Sequence, residues 1–279
     1  MKKIIFTILV TISFSFAHGQ FGELPYNQVA ELKQQTIKVA LNEGDPFSSA
    51  FKKAVEENWT FTKYEFTTEE KILSSGYEKK DEVFQLGFYK GTFQNSKYVM
   101  ENVPFIGIVN KIAGKKNYAN GKDFNIYFPY PIDGIEEKYL PGYLALNIQL
   151  LDNYLKKLGD PNRKTPTLYV YLKNIETKNI ECKKKKILIC KEDLYAEEAD
   201  ITSTYKFDYE IVSRDKINEA ILNKEDVLFY YLVPSLKYSY HLFISAKDGT
   251  VLFSNHGFTG DIYFKKAQSK IFKVLGKAK

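Results

Sequence analysis

Beyond the first twenty or so residues, two histidines are available for acid–base or metal chemistry: His241 in "YSYHLFIS" and His256 in "SNHGF". Neither stands beside a cysteine or in the H-E-x-x-H spacing that sets two imidazoles on one helix face, so they make a poor zinc site. A Ser–His–Asp triad needs no closeness in sequence, but there is no G-x-S-x-G elbow to nominate a nucleophile. Two thiols, Cys182 and Cys190, flank "KKKKILI". Neighbouring cations lower a thiol pKa, yet both cysteines fall in β-rich runs with no base beside them. "GIVNKIAGKK" (107–116) has the wrong spacing for a phosphate loop, and Lys116 stands where a hydroxyl is required. These patterns nominate no catalytic, cofactor-binding or metal-binding residue, and no cofactor is expected.

Binding offers more candidates. Glu43 and Asp45 follow the first β-rich run, and Glu192 and Asp193 follow a similar run later. In an open α/β sheet ligands gather at the carboxyl ends of strands, so these acids stand where a site would form. Asp45 before Pro46 is equally what a helix start requires. The stretch "FNIYFPYP" (124–131) carries Tyr127 and Tyr130, with Tyr139 and Tyr143 beyond. Such rings suit sugar or peptide recognition, although strand alternation explains them as well. Glu43, Asp45, Tyr127, Tyr130 and Tyr139 are the weak ligand candidates.

The amino terminus bounds the setting. "MKKIIFTILVTISFSFAHGQF" has a basic start, an apolar run to about Ala17 and small residues before Gln20. This is the pattern of a secretory signal peptide over 1–19, with cleavage before Gln20. The run is short for a spanning helix, which needs about 20 residues, and no later run reaches that length. The expectation is an exported protein, periplasmic or secreted, with no transmembrane segment in the mature chain. The formal net charge is +6, carried almost wholly by lysine; Arg163 and Arg214 are the two arginines. Arginine supplies the fork that reads phosphate, and no aromatic–basic recognition motif accompanies the charge, so no nucleic-acid partner is expected.

The elements that must position these residues repeat. "TKYEFTTEEKI" (62–72) and "KFDYEIVSRDKI" (206–217) share Tyr64/Tyr209, Glu65/Glu210, Lys71/Lys216 and Ile72/Ile217, with Thr68 matched by Ser213. Four identities among abundant residues arise by chance. The flanking elements add order and length: strand 36–42, helix from Pro46, strand 60–66, helix 68–76 and strand 82–89 in one copy. The other starts near "KILICKED" (186–193): strand "ILIC", a shortened helix around "DLYAEEA", strand 205–212, helix 213–225 and strand 226–233 follow in turn. Between them a helix from Tyr143 to Leu158 keeps an apolar period near 3.5 and closes at Gly159 before Asp160-Pro161. The fold class expected is α/β, with α+β as the alternative: two related strand–helix–strand–helix–strand units joined by a long helix. The halves are 20–160 and 161–279, the second ending in a hairpin around "KDG" (247–249) and a basic helix.

Three finer expectations follow. Strands "TLYVYL" (167–172) and "NIEC" (179–182) precede "ILIC" (187–190). If "NIEC" and "ILIC" form a hairpin around the lysines, the thiols are offset by roughly 10 Å, beyond the reach of about 7 Å for a bridge, so both stay free. The helix 261–275 should pack Phe264, Ile271, Val274 and Leu275 inward with its lysines in water; lying on a membrane surface is the alternative.

The order strand, capped helix, "F-x-K-Y-E-F" strand, helix, strand resembles a unit of curli-transporter-type secretion and assembly factors, over about 50 residues per copy. The chain also resembles uncharacterised secreted bacterial proteins that end in an "AKDGTVL" hairpin. The resemblance brings no catalytic residue across. It implies a non-catalytic exported protein that binds a protein or glycan partner or supports an envelope assembly. A secreted hydrolase, or a glycan- or small-ligand-binding protein, is the alternative.

Overall fold

The computed structural model describes residues 26–42, 44, 46–74, 82–94, 99–112, 128–129, 136–160, 180–233, 238–258 and 261–277. The chain is mixed α/β, with two sheets of parallel and antiparallel strands. It divides into two compact units, one drawn from 1–132 with 151–168 and the other from 133–150 with 169–279.

The first unit runs α1 (Tyr26–Gln34), β1 (Thr36–Ala40), α2 (Pro46–Asn58), β2 (Lys63–Thr67), α3 (Glu69–Ser74), β3 (Glu82–Gln94), β4 (Val99–Ile112) and β5 (Phe128–Pro129). Its sheet order is β2-β1-β3-β4-β5. In β1 the alternation of "TIKVA" buries Ile37 and Val39 fully. Parallel partners flank it, with Ile37 opposite Tyr64 of β2 and Val39 opposite Leu86 of β3. Parallel neighbours need crossovers long enough to bring the chain back. α2 is the first, burying Phe51, Ala54 and Val55 and showing water the i,i+4 pairs Lys52–Glu56 and Lys53–Glu57. α3 is the second, and Thr68 caps it by accepting from Lys71 N at 3.2 Å.

A long helix, α4 (Leu140–Leu158), gives its first half to the second unit and Leu151–Leu158 to the first. It begins three residues earlier than the apolar period suggests, because Pro141 in the first turn forfeits no hydrogen bond. In the first unit its Asp152 is 3% exposed. Oδ1 accepts from the backbone N–H of Thr60 and of Phe61, each at 2.7 Å. Oδ2 accepts from the Thr60 hydroxyl at 3.1 Å and pairs with Lys156 at 2.7 Å. One carboxylate thus fixes the bend between α2 and β2.

The second unit repeats the plan. After a 3₁₀ turn at Ile180–Lys184 come β6 (Ile187–Cys190), a 3₁₀ turn at Lys191–Asp193, α5 (Glu198–Thr204), β7 (Tyr209–Val212), α6 (Arg214–Leu222), β8 (Leu228–Val233), β9 (Tyr238–Ser245), β10 (Val251–Phe258) and α7 (Asp261–Lys277). The sheet order, β7-β6-β8-β9-β10, reproduces that of the first unit strand for strand. The register agrees too: Tyr209 sits opposite Ile187 as Tyr64 sits opposite Ile37. Glu65 pairs with Lys38, and Glu210 with Lys186 at 2.5 Å. Ser213 caps α6 by accepting from Lys216 N, as Thr68 does for α3. The repeated Tyr-Glu stretch is therefore the outer parallel strand of each unit, running into its second crossover helix.

One sheet face carries Ile187, Ile189, Leu228, Tyr230, Phe243 and Phe253, packed with Ile201 of α5, Tyr205 at its C-cap, and Ile271, Phe272 and Leu275 of α7. Burial of each large aliphatic or aromatic chain contributes about 2 kcal/mol. The β9–β10 turn needs Gly249, at φ +68; a Cβ there would meet Gln149 Cβ at 2.5 Å.

Several expectations are corrected. "NIEC" is not a strand: Cys182 lies in the 3₁₀ turn, and β6 pairs in parallel with β7 and β8 rather than in a hairpin. Both thiols are free and buried, but for another reason. Cys182 joins the apolar cluster on the α7 face, while Cys190 lines a crevice beside α6. The first crossover is a 3₁₀ turn and then a helix at Glu198–Thr204, later than "DLYAEEA", where Glu198 and Asp200 suit the first turn. Val274 is 40% exposed; Gln268, Ile271, Phe272 and Leu275 form the buried seam instead. The "TLYVYL" strand and the Phe264 side chain lie outside the described residues.

Asp152→Ala strands the N–H of buried Phe61 and unpairs that of exposed Thr60, and should cost about 2 kcal/mol in urea unfolding. Lys156→Ala, which removes its half-exposed partner, should cost under about 1 kcal/mol. Equal losses would show that the ion pair, and not the backbone clamp, matters.

Candidate functional site

In the second unit the carboxyl ends of β6 and β7 deliver their chains to one edge. β6 passes into the turn holding Asp193, and β7 ends at Ser213, whose cap starts α6 with Arg214. The Arg214 guanidinium donates from Nη2 to Asp193 Oδ1 at 2.9 Å, each side chain about one-third exposed. The loop is held from below. Gln268 of α7, fully buried, accepts from the N–H of Tyr195 and Ala196 at 2.9 and 2.7 Å. Its Nε2 donates to the Asp193 carbonyl at 3.0 Å.

The first half of α4 and the face of α6 close over the sheet here. They approach closely at Gly142, whose N–H donates to Asn218 Oδ1 at 3.1 Å; a Cβ would sit 2.2 Å from that oxygen. Between them and the sheet lies a crevice of about 50 Å³. Its walls are Tyr139, Tyr143 and Leu146 on one side, Arg214, Ile217, Asn218 and Ile221 on another, and Cys190, Phe229 and Tyr231 beneath. The Tyr231 hydroxyl donates to that of Tyr143 at 3.2 Å. At the rim Lys138 lies 4.5 Å from the Tyr139 ring centroid and 3.6 Å from Asp215.

Reactive groups near the crevice are quiet. The Cys190 thiol donates to Glu192 at 3.0 Å. Burial first, and then the charge of Asp193, push it well above the ordinary thiol range, so it stays protonated. That hydrogen bond in turn holds the Glu192 carboxyl below its ordinary value. Burial likewise pushes Cys182 up to about 12. His241 is fully buried, its Nδ1 2.6 Å from the Tyr230 hydroxyl. Burial pushes the tyrosine up and lowers the imidazole to about 4, so the hydrogen bond joins two neutral groups and the imidazole tautomer sets its donor. Among the described residues no group of three or more His, Cys, Asp or Glu side chains is placed to hold a metal ion.

Of the residues singled out in the sequence, Tyr139 is buried in the crevice wall, and Asp193 meets it. Glu43, Asp45, Tyr127 and Tyr130 lie outside the described residues, as does the His256 side chain. Arg214, Asn218 and Tyr231 were not singled out. A signal for Arg214 exists in the repeat. Three residues past the paired ends Ala40 and Cys190 stand Glu43 and Asp193, and just past the caps Thr68 and Ser213 stand Glu69 and Arg214. Two acids in the first copy are an acid and a base in the second.

No protein-family model, curated protein or solved structure matches the chain.

The buried imidazole sets a pH dependence. Its folded pKa, about 4, lies below the ordinary 6.5, so the unfolded chain takes up the proton first as pH falls. Stability that is full above pH 6.5 should drop by about 3 kcal/mol as pH falls to 4, and no further below that. His241→Gln, whose amide can accept from Tyr230, should remove that part of the slope in unfolding titrations. An unchanged slope would place a charged imidazole in the fold.

Proposed function

We propose that the protein is an exported, non-catalytic binding protein whose second unit receives one side chain of a protein partner in the tyrosine-rimmed crevice. The size and lining of that crevice carry the reading. A site for a free small molecule encloses roughly 300–1,000 Å³, whereas this one offers about 50 Å³, room for one small side chain. Its wall of tyrosine and an arginine is the composition of residues that dominate protein interfaces, set in a mostly apolar pocket with a polar rim. The Arg214–Asp193 pair presents both a donor and an acceptor to an incoming polar tip. The protonated Cys190 and enclosed His241 support a binding role over nucleophilic chemistry at this edge.

Site-specific photo-crosslinking in the producing cell tests this. A photoreactive residue at Lys138, on the rim, should yield a discrete protein adduct, and one at Lys53 in the first unit should not. Arg214→Ala should reduce the rim adduct roughly tenfold or more. Equal adducts from both positions would contradict the reading, and capture of a glycan alone would favour carbohydrate binding in its place.

A further inference from the structure

We propose that α7 docks the protein on a membrane surface rich in anionic headgroups. Lys266, Lys270, Lys273 and Lys277 are all exposed. At 100° per residue they fall within about 60° of arc and run roughly 16 Å along the helix. The opposite side of α7, with Gln268, Ile271, Phe272 and Leu275, is spent on the core of the second unit. No acid follows Asp261 in the sequence, and among the described residues none of the four lysines forms an ion pair. The lysines of α2 and α6 differ, since Lys52, Lys53 and Lys216 each pair with a glutamate on or beside their own helix.

Exposed apolar groups lie beside the stripe. Val274 is 40% exposed and flanks it, and Phe207 is 36% exposed. Lys183 ties Phe207 to the last turn of α7, with Nζ 4.6 Å from the ring centroid and 3.3 Å from the Gly276 carbonyl. A straight row of compact ammonium charges edged by apolar side chains matches the charge and the polar–apolar boundary of a bilayer surface. A nucleic acid would be better served by the arginine fork and stacking aromatics. Because the apolar seam of α7 is occupied, docking is peripheral and electrostatic: salt screens it, and it leaves the fold intact.

Co-sedimentation of the full mature chain with vesicles is the test. Vesicles of phosphatidylcholine containing about one-third phosphatidylglycerol should bind it, pure phosphatidylcholine should not, and about 0.5 M salt should release it. Replacing all four lysines by glutamine should weaken binding several-hundredfold, about fivefold per lysine, with the melting temperature unchanged. Lys52→Gln with Lys53→Gln should leave binding as it was. Binding that survives the quadruple change, that is equal on neutral vesicles, or that is absent for the parent chain overturns the proposal. So does tighter, stripe-dependent binding to duplex DNA. The rim crosslink from Lys138 does not depend on any of these outcomes.

Discussion

Each unit is organised by a short central strand with a parallel neighbour on either side. β1 and β6 are five and four residues long, and all four residues of β6 are buried. A strand so placed must have its backbone groups paired by its neighbours, since burial leaves water no part in it. Parallel partners can be reached only through crossovers. The helices α2 and α3, and α5 and α6, follow from that demand, as does the antiparallel meander that extends each sheet on the other side. The same geometry sends the chain out of two adjacent parallel strands at one edge. There, in the second unit, Asp193 and Arg214 meet although 21 positions apart in sequence.

Both units fix a bend after one of their early elements with a single buried polar side chain. Asp152 clamps Thr60 and Phe61 in the first, and Gln268 clamps Tyr195 and Ala196 in the second. The donors and acceptors differ, and each clamp arrives from a distant helix. The two units share the sheet order, the caps and the tyrosine–glutamate strand, while the positions corresponding to Asp193 and Arg214 differ.

Much of this was legible along the chain because it is local. The caps Thr68 and Ser213, the hairpin glycine at 249, the period of α4 and the β-rich "ILIC" all depend on residues within a few positions. Pairing was less so: "NIEC" before "ILIC" reads as a hairpin because alternation reports which residues are buried, not which strand lies alongside. Alternation alone sets Cys182 on a strand, whereas a 3₁₀ turn packs it into the apolar cluster. Val274 and Phe272 both fit an apolar face, and the packed seam takes Ile271, Phe272 and Leu275. Tyr139, a candidate for its aromatic ring, stands in the crevice wall. Arg214 does not read as a site residue from its own neighbourhood, because its partner Asp193 is 21 positions away.

The claim on which the rest stands is that "ILIC" is a central parallel strand, as "TIKVA" is in the first unit. Interstrand nuclear Overhauser contacts on deuterated, isotope-labelled protein read this directly. Contacts from Ile187 to Tyr209 and from Leu188 to Phe229, matching those of Ile37 with Tyr64 and of Lys38 with Gln85, are the result expected. Contacts from residues 187–190 to 179–182 in antiparallel register would contradict it, and with it the common plan of the two units and the edge at which the crevice forms.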